Sequence, residues 1–199
     1  MKRVKICGLS REQDIQAVNA VQPNFCGFII HFPKSRRSIS ADRLRQLRAG
    51  LCDSVCPVGV FVDEPVESIA ALLRERVISV AQLHGTEDRC YIQSLRRQTE
   101  SPIWQAFQIR TEADVQRAND SLADLVLLDA GQGSGKTFDW TLLKRITRPF
   151  GLAGGLRQEN LPAALQTAAV LLDVSGGVET DGYKDPEKMK QFVEAVRKG

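Results

Sequence analysis

Residues 127–140, LLDAGQGSGKTFDW, are of types that bind phosphate: glycines, a lysine and a threonine follow an apolar run and an acid. The P-loop motif G-x-x-x-x-G-K-[ST] would require a glycine at position 130, where the chain has Ala130. A P-loop lysine and threonine also begin a helix, whereas Asp139 is here the better helix N-cap. The stretch therefore favours a loop with another function, and a P-loop nucleotide-binding protein remains the alternative.

A second set of glycines follows two apolar runs nearer the C-terminus. Gly154 and Gly155 end FGLAGG, and Gly176 and Gly177 follow Ser175 in LLDVSGG. Glycines let backbone N–H groups approach a phosphate closely, although tight turns use the same residues. These five residues are therefore preferred over the P-loop-like stretch as candidates to bind a phosphate.

Ionisable side chains stand at the ends of two other apolar runs. Lys5 precedes Cys7 by two residues, so a strand would direct both side chains to the same face. A nearby ammonium favours the thiolate, the reactive form of cysteine, while a small buried thiol is the alternative. Asp129 follows the apolar run LVLL, and a loop or cap residue is the alternative there. Both positions are candidates for chemistry.

Eight short apolar runs recur along the chain, and most are continuous, as expected for strands covered on both faces. Segments with helical spacing follow them. Ser10 and Gln13 predict a capping box for the first helix, Ser40 begins the second, and Pro65 is a first-turn proline of the third. The last helix is predicted at 186–197. The runs cover residues 4–8, 25–30, 55–61, 78–84, 102–109, 123–130, 150–155 and 169–176.

Eight strands that alternate with helices fit either an open doubly wound sheet or a closed (β/α)8 barrel. The count of eight favours the barrel, and an open sheet of that size would leave edges to cover. No long insertion marks a second domain, so residues 1–199 are predicted to form one α/β domain, a compact (β/α)8 TIM barrel. In such a barrel the chemistry lies in the loops after the strands, and the loops after the last two strands frequently bind phosphate.

The composition excludes several classes of protein. The 199 residues carry a net charge of +3, which is too small to imply binding to nucleic acid. The five cysteines are odd in number and include no C-x-x-C pair, which argues against a disulfide framework and against a zinc site. The first apolar stretch is too short for a signal peptide, and no run approaches a membrane span. A cytoplasmic protein without membrane contact is therefore expected.

Several motifs together resemble the phosphoribosylanthranilate isomerase family of tryptophan biosynthesis. They are, in order along the whole chain, KICGL, PKSRR, GVF, QLHG, LLD with GQGSGKTFDW, AGGL and DVSGGVE. The resemblance implies a single-domain (β/α)8 barrel that needs no cofactor and no metal, and no obligate protein partner is inferred. It also implies an Amadori rearrangement of a small phosphosugar, which converts N-(5-phosphoribosyl)anthranilate into 1-(2-carboxyphenylamino)-1-deoxyribulose 5-phosphate.

The resemblance also assigns roles to individual residues. Cys7 would be the general base at carbon 2, and Asp129 would be the general acid at the ring oxygen. Arg37 would bind the anthranilate carboxylate, for which a planar guanidinium is suited. The remaining substrate-binding candidates are Lys5, Gln82, His84, Gly154, Gly155, Ser175, Gly176 and Gly177, the last five for the phosphate. A structural role for the histidine stays open.

The chain departs from the family pattern at two of these motifs. Gly176 stands where a second serine is usual, so one hydroxyl contact to phosphate would be lost while the backbone N–H remains. Ser38 stands where an aromatic ring commonly follows the arginine. Beside the assigned residues, Arg36 is expected to be solvated, and Lys136 would either add a positive charge near the substrate or be solvated.

Overall fold

Eight parallel strands form a closed barrel in the computed structural model, which describes residues 1–129 and 139–199. Each strand pairs with the next along the chain, and β1 pairs with both β2 and β8. This closure confirms the predicted barrel and excludes the open sheet. The strands are β1 (Arg3–Cys7), β2 (Phe25–Ile30), β3 (Cys56–Phe61), β4 (Val80–Leu83), β5 (Ile103–Gln108), β6 (Leu125–Asp129), β7 (Phe150–Leu152) and β8 (Leu171–Val174).

Helices follow the strands, but those after β6 and β7 are short. A 3-10 helix, Trp140–Arg145, stands after β6, and a two-residue strand, Ser38–Ile39, pairs with β2. A hairpin of Glu179–Thr180 and Tyr183–Lys184 follows β8. The α-helices are α1 (Glu12–Val21), α2 (Ala41–Ala49), α3 (Val66–Arg74), α4 (Arg89–Arg96), α5 (Glu112–Asn119), α6 (Leu161–Leu165) and α7 (Pro186–Lys198). Within the described ranges, no helix is long and apolar enough to cross a membrane.

The helix starts agree with the sequence at α2 and differ at α1. Ser40 caps α2, since its hydroxyl accepts a hydrogen bond from Arg43 N at 3.1 Å. The predicted capping box of Ser10 and Gln13 is wrong. Asp14 instead accepts hydrogen bonds from the backbone N–H groups of Ser10 and Arg11, at 2.9 and 3.0 Å. Because a carboxylate accepts two such bonds, it moves the start of α1 to Glu12.

The structure after β6 does not match a P-loop. The helix there begins at Trp140, and its N-cap is Asp139, whose carboxylate accepts a hydrogen bond from Thr141 N at 2.9 Å. This confirms Asp139 as the cap. The glycine-rich loop itself, with Lys136, lies outside the described residues. A helix that starts four residues after Lys136 cannot direct its N-terminus at a phosphate held by that lysine in the way a P-loop does.

The barrel interior is apolar toward the N-terminal ends of the strands. Phe25 packs edge-to-face on Trp104, with ring centroids 4.9 Å apart and an angle of 70° between the rings. The other strand residues alternate outward and pack against the helices in a larger core. The buried interior cluster, called the plug below, is Val58, Val80, Trp104, Leu125, Leu127 and Leu171. Since the plug fills this end, a ligand can enter only from the opposite end, where the strands terminate.

Candidate active site

A pocket of about 560 Å³ lies at the C-terminal ends of the strands. It brings together all the site residues predicted from the sequence except Lys5, which lies buried beneath it. The predicted residues that line it are Cys7, Arg37, Gln82, His84, Asp129, Gly154, Gly155, Ser175, Gly176 and Gly177. The pocket also contains Asp173, Glu179 and Arg157, to which the sequence assigned no role.

Cys7 ends β1 and stands above a buried ion pair. The Lys5 ammonium is fully buried and donates a hydrogen bond to Asp173 Oδ2 at 2.8 Å. Burial lowers the pKa of Lys5, but the attraction of Asp173, together with Cys7, outweighs burial and raises that pKa to about 12. Lys5 therefore keeps its charge below the pocket floor.

The thiol of Cys7 responds to burial more than to its charged neighbours. Burial raises the pKa of Cys7, Lys5 lowers it, and Asp173 raises it again. The expected effect of Lys5 on the thiolate is present, but it does not prevail, because burial raises the pKa of Cys7 more than Lys5 lowers it and Asp173 adds to the rise. In the substrate-free protein Cys7 is therefore a thiol at neutral pH.

Asp129 ends β6 and reaches the pocket from another side of the barrel. Its carboxylate lies 3.8 Å from His84 Nε2, and its side chain is 15% exposed. His84 Nδ1 is in turn 3.4 Å from the amide nitrogen of Gln82. Gln82 Oε1 and Asp173 Oδ1 are buried polar atoms with no hydrogen-bond partner among the described residues. The polar side chains of β4, β6 and β8 thus converge on one pocket.

Arg37 is held by a carboxylate of the protein itself. Its Nε and Nη2 donate hydrogen bonds to Glu179 Oε1 and Oε2, both at 2.7 Å. Arg36 Nη2 also donates to Glu179 Oε2 at 2.7 Å, so Arg36 is paired although its side chain is 59% exposed. Lys184 Nζ donates to Oε1 at 2.6 Å. Three cations around one carboxylate, called the cation cluster below, leave an excess of two positive charges beside the pocket.

Glu179 remains ionised in this cluster. Its burial raises the carboxyl pKa, but hydrogen bonds from Arg37 and Lys184 and their charges lower it further, and the net pKa is below the usual value for glutamate. The predicted bidentate edge of Arg37 is thus already occupied by a carboxylate. The hydrogen bonds of Arg37 to described residues use its backbone N–H, Nε and Nη2, which leaves Nη1 for a further anion.

The loops after β7 and β8 pack directly against each other. Gly154 and Gly155 adopt positive φ of 77° and 66°, a conformation that favours glycine. A Cβ atom at Gly177 would lie 1.9 Å from the carbonyl oxygen of Leu156, so only glycine fits there. At Gly176 a Cβ atom would meet only Arg37 Nη2, at 3.8 Å, and the serine usual in the family would fit.

Ser175 has a structural contact besides its place in the pocket. Its hydroxyl donates a hydrogen bond to the carbonyl oxygen of Cys7 at 2.9 Å, and Lys184 Nζ donates to the Ser175 carbonyl at 3.1 Å. The hydroxyl therefore links β8 to the end of β1. Arg157, half-exposed, adds a cation near the glycines of these loops.

Of the pocket residues to which the sequence assigned no role, Asp173 could have been found from the sequence and Glu179 could not. Lysine is almost never fully buried without a partner, so Lys5 inside an apolar strand run required an acid at an inward strand position, as Asp173 is. For Glu179 no such signal exists, because two of its three partners, Arg36 and Arg37, come from the distant loop after β2. Within residues 1–129 and 139–199, no group of His, Cys, Asp or Glu side chains is suited to hold a metal ion.

Comparisons with known proteins identify the family of the chain. A family model described as N-(5'-phosphoribosyl)anthranilate (PRA) isomerase matches residues 4–195. An N-(5'-phosphoribosyl)anthranilate isomerase from Clostridium kluyveri is 41% identical over 201 residues, which cover 99% of this chain and 98% of the relative. A crystal structure of phosphoribosyl anthranilate isomerase from Thermus thermophilus is 34% identical, with a TM-score of 0.87 and coverage of 98% of both chains.

A further solved structure shows a ligand. It is a phosphoribosyl anthranilate isomerase in complex with reduced 1-(o-carboxyphenylamino)-1-deoxyribulose 5-phosphate, 32% identical to this chain, with a TM-score of 0.86 and complete coverage of both chains. The family model and the full-length relatives agree with one another and with the motifs at the strand ends. The chain belongs to the family of N-(5'-phosphoribosyl)anthranilate isomerases.

Proposed function

We propose that this chain converts N-(5-phosphoribosyl)anthranilate into 1-(2-carboxyphenylamino)-1-deoxyribulose 5-phosphate in tryptophan biosynthesis, with Cys7 and Asp129 as the catalytic pair. The observation that carries the proposal is that a thiol from β1 and a carboxyl group from β6 line one pocket. The cation cluster and the glycine loops line the same pocket. A sugar that carries a carboxylate at one end and a phosphate at the other matches this distribution of charge.

Asp129 begins the rearrangement as a general acid. It donates a proton to the ring oxygen while the bond between that oxygen and carbon 1 breaks, and the nitrogen lone pair forms a C=N double bond. The result is an open-chain iminium ion. Water is a poor acid for this step, whereas a carboxylic acid held at the pocket wall delivers its proton directly.

Cys7 then acts as the general base at carbon 2. Its thiolate removes the proton from carbon 2, and the electrons of that C–H bond form a C=C bond that neutralises the iminium nitrogen. The enol so formed becomes the ketone when its hydroxyl loses a proton and carbon 1 gains one. Over these steps the sugar gains one proton from Asp129 and loses one to Cys7, so its atoms and charge balance. Asp129 must therefore begin the reaction protonated, and Cys7 must begin it as the thiolate.

The two anionic ends of the substrate would be bound at separate parts of the pocket. The phosphate is assigned to the backbone N–H groups of Gly154, Gly155, Gly176 and Gly177, with Arg157 nearby. The carboxylate is assigned to Arg37, whose Nη1 side remains for it while Glu179 holds the other edge. The excess positive charge of the cation cluster supports this assignment, because an added carboxylate need not displace Glu179. We also infer a cytoplasmic location from the biosynthetic role.

A turnover assay with purified protein tests the proposal. Anthranilate fluorescence should change with time as the substrate is consumed, and the product should be identified by mass and chromatography. As a control, ATP should leave the melting temperature unchanged. No product at high enzyme concentration, or a melting temperature raised by ATP alone, would contradict the proposed function.

A further inference from the structure

Lys5 and Asp173 form an ion pair whose partners are fixed by the register of the barrel. The two residues lie directly opposite each other on β1 and β8, so their side chains leave the same face of the sheet. Lys5 is fully buried and Asp173 is 8% exposed. The hydrogen bond of 2.8 Å between Nζ and Oδ2 therefore joins two charges that water barely reaches. Neither position has a role in the acid and base steps described above.

The Lys5 ammonium also interacts with Cys7, with which it shares a side-chain hydrogen bond and a charge interaction. Both side chains lie beside Gly27 on β2, which is opposite Cys7 in the register of the two strands. A Cβ atom at Gly27 would lie 2.8 Å from Cys7 Sγ and 3.1 Å from Lys5 Nζ. The thiol and the ammonium thus fill the space that a larger residue at 27 would take. The three groups form a chain, with Lys5 between Asp173 and Cys7.

We propose that Asp173 is a positioning residue of the reaction: it holds the Lys5 ammonium against Cys7 and cancels enough of its charge to keep the thiolate a strong base. The proposal rests on the proposed role of Cys7 as the base. Asp173 acts on the substrate only through Lys5 and Cys7.

The charge balance explains why the carboxylate matters. With Asp173 present, the carboxylate already balances the positive charge of Lys5. Ionisation of Cys7 therefore adds an uncompensated negative charge to a buried site. Without that carboxylate charge, the thiolate becomes the only counter-ion of Lys5, and the pair Lys5–Cys7 becomes neutral on loss of the thiol proton. The two groups then titrate as a coupled pair. The first proton to leave belongs to the thiol, because its reference pKa of about 8.5 is below that of lysine, about 10.4.

Other charged or titratable groups around Cys7 are left in place by substitutions at positions 5 and 173. Arg37 approaches from the loop after β2, Lys184 from the hairpin after β8, and the Cys26 thiol from β2 itself. The charges of Asp129, at the end of β6, and His84, just after β4, act on Asp173. Burial raises the pKa of Cys26 well beyond the range of the experiment, so this thiol does not titrate there. Variants at the two positions then differ only in the charge of the pair.

A more acidic Cys7 would be a poorer base. Proton abstraction from carbon slows as the base weakens, and a Brønsted coefficient of about one half makes each unit of lost pKa cost about threefold in rate. A lone Lys5 would therefore produce more thiolate but a slower enzyme. Asp173 lowers the fraction of Cys7 that is ionised but makes the thiolate a stronger base, which favours removal of a proton from carbon.

The test compares Asp173→Asn, Lys5→Met and the double variant in the full chain. Asparagine can still accept a hydrogen bond from Lys5 through its oxygen, so this change removes charge while retaining the contact. The rate of alkylation of Cys7 by iodoacetamide is followed against pH. The Cys7→Ser protein supplies the background from the remaining cysteines. Melting temperatures show that each variant is folded.

The expected alkylation midpoint is lowest in Asp173→Asn, higher in the unchanged protein and highest in the two variants that lack Lys5, in which no ammonium at position 5 favours the thiolate. The acid limb of kcat/KM should move to lower pH in Asp173→Asn, its plateau of kcat should fall several-fold, and KM should change little. If Asp173 had a purely structural role, its substitution would lower kcat and kcat/KM without moving the alkylation midpoint of Cys7. An Asp173→Asn midpoint that is unmoved or higher overturns the proposal.

Two further outcomes remain decisive. If Asp173→Asn does not fold, Asp173→Ser removes the same charge, and a midpoint that is not lower than in the unchanged protein overturns the proposal. The role of Cys7 is tested separately by Cys7→Ala in the turnover assay. An active Cys7→Ala enzyme would refute the proposed base, while the alkylation midpoints would still report the electrostatics of the ion pair.

Discussion

The two ends of the barrel interior are built from opposite kinds of side chain on the same strands. β6 directs Leu127 into the plug and, two residues later, Asp129 into the pocket. β8 does the same with Leu171 and Asp173, and β4 with Val80 and Gln82. Because the side-chain period of a strand is two, one face of each strand changes from packing to chemistry within one repeat.

This difference indicates how the barrel separates stability from function. The plug excludes water and fixes the positions of the strands, whereas the pocket carries buried charges, and buried polar atoms without a partner among the described residues, that cost stability. Substitutions in the plug should therefore change the free energy of unfolding and leave catalysis intact. Substitutions at the pocket should lower catalytic activity and leave the free energy of unfolding nearly unchanged.

The largest effect is expected from Cys7→Ala. Loss of a general base lowers kcat by about 10²–10⁴-fold, while KM should change little because the phosphate and carboxylate contacts remain. Cys90→Ala, which alters an exposed thiol, is the matched control and should keep full activity. Steady-state kinetics with both variants check this. A Cys7→Ala enzyme with near-normal kcat would show that proton abstraction does not depend on the thiol.

Leu127→Ala should produce an effect of similar size on stability instead. The side chain is fully buried in the plug, and removal of a core leucine costs about 2–5 kcal/mol in the free energy of unfolding. Denaturant unfolding measures this cost, and kcat/KM should stay unchanged at temperatures where the variant is folded. Leu122→Ala, at a partly exposed leucine, should cost less than about 0.5 kcal/mol. A strong loss of kcat/KM in folded Leu127→Ala would show that the plug is not separate from catalysis.

A smaller effect is expected at the edge of the pocket, from Arg37→Ala. A hydrogen bond to a charged group contributes about 1.5–3 kcal/mol, so KM should rise about 10- to 100-fold. Arg36→Ala should raise KM much less, because Arg36 is more exposed and surface pairs contribute about 0–1 kcal/mol.

A substrate analogue without the carboxylate sharpens this test. It should lose little affinity in Arg37→Ala, since the missing contact is already absent from the analogue. Equal losses for Arg36→Ala and Arg37→Ala with the natural substrate would mean that the cation cluster acts only as a diffuse charge. The assignment of the carboxylate to Arg37 would then be wrong.

The smallest effect is expected from Gly176→Ser. The structure leaves room for the side chain, so the melting temperature and kcat should change little, and the added hydroxyl contact to the phosphate should lower KM about two- to tenfold, since a hydrogen bond contributes about 0.5–1.5 kcal/mol. Gly177→Ser is the contrasting variant, because its Cβ would clash with the Leu156 carbonyl and displace the loop after β7. Thermal melting and KM measured on both variants distinguish the two glycines. Equal behaviour of the pair would contradict the close packing of these loops.

The sequence predicted the barrel well because its signals are local. Continuous apolar runs mark all eight strands, and Ser40 and Asp139 cap the helices that they precede. The start of α1 was misjudged, because Asp14, and not Gln13, accepts the hydrogen bond from the Ser10 backbone N–H, and the spacing of the residues does not distinguish the two. The helix that Asp139 caps is a 3-10 helix, Trp140–Arg145, and the sequence did not indicate its type.

The candidate site was predictable only in part, since its pairings join distant positions in the chain. The motifs indicated which residues meet at the strand ends, and those residues do line one pocket. They did not indicate that Glu179 holds Arg37, because 142 positions separate the two residues. They also did not indicate that Asp173 would offset the effect of Lys5 on Cys7, which depends on the register of β1 with β8.

The central claim is that Asp129 opens the ring before Cys7 removes the proton from carbon 2. Its most direct test is the kinetic isotope effect on kcat with substrate deuterated at carbon 2, measured in the unchanged enzyme and in Asp129→Asn. Asparagine cannot deliver a proton to the ring oxygen, so kcat should fall by about 10²–10⁴-fold and ring opening should limit the rate. The isotope effect should then vanish. An Asp129→Asn enzyme with near-normal kcat, or one that is slow but retains a full isotope effect, would contradict the account.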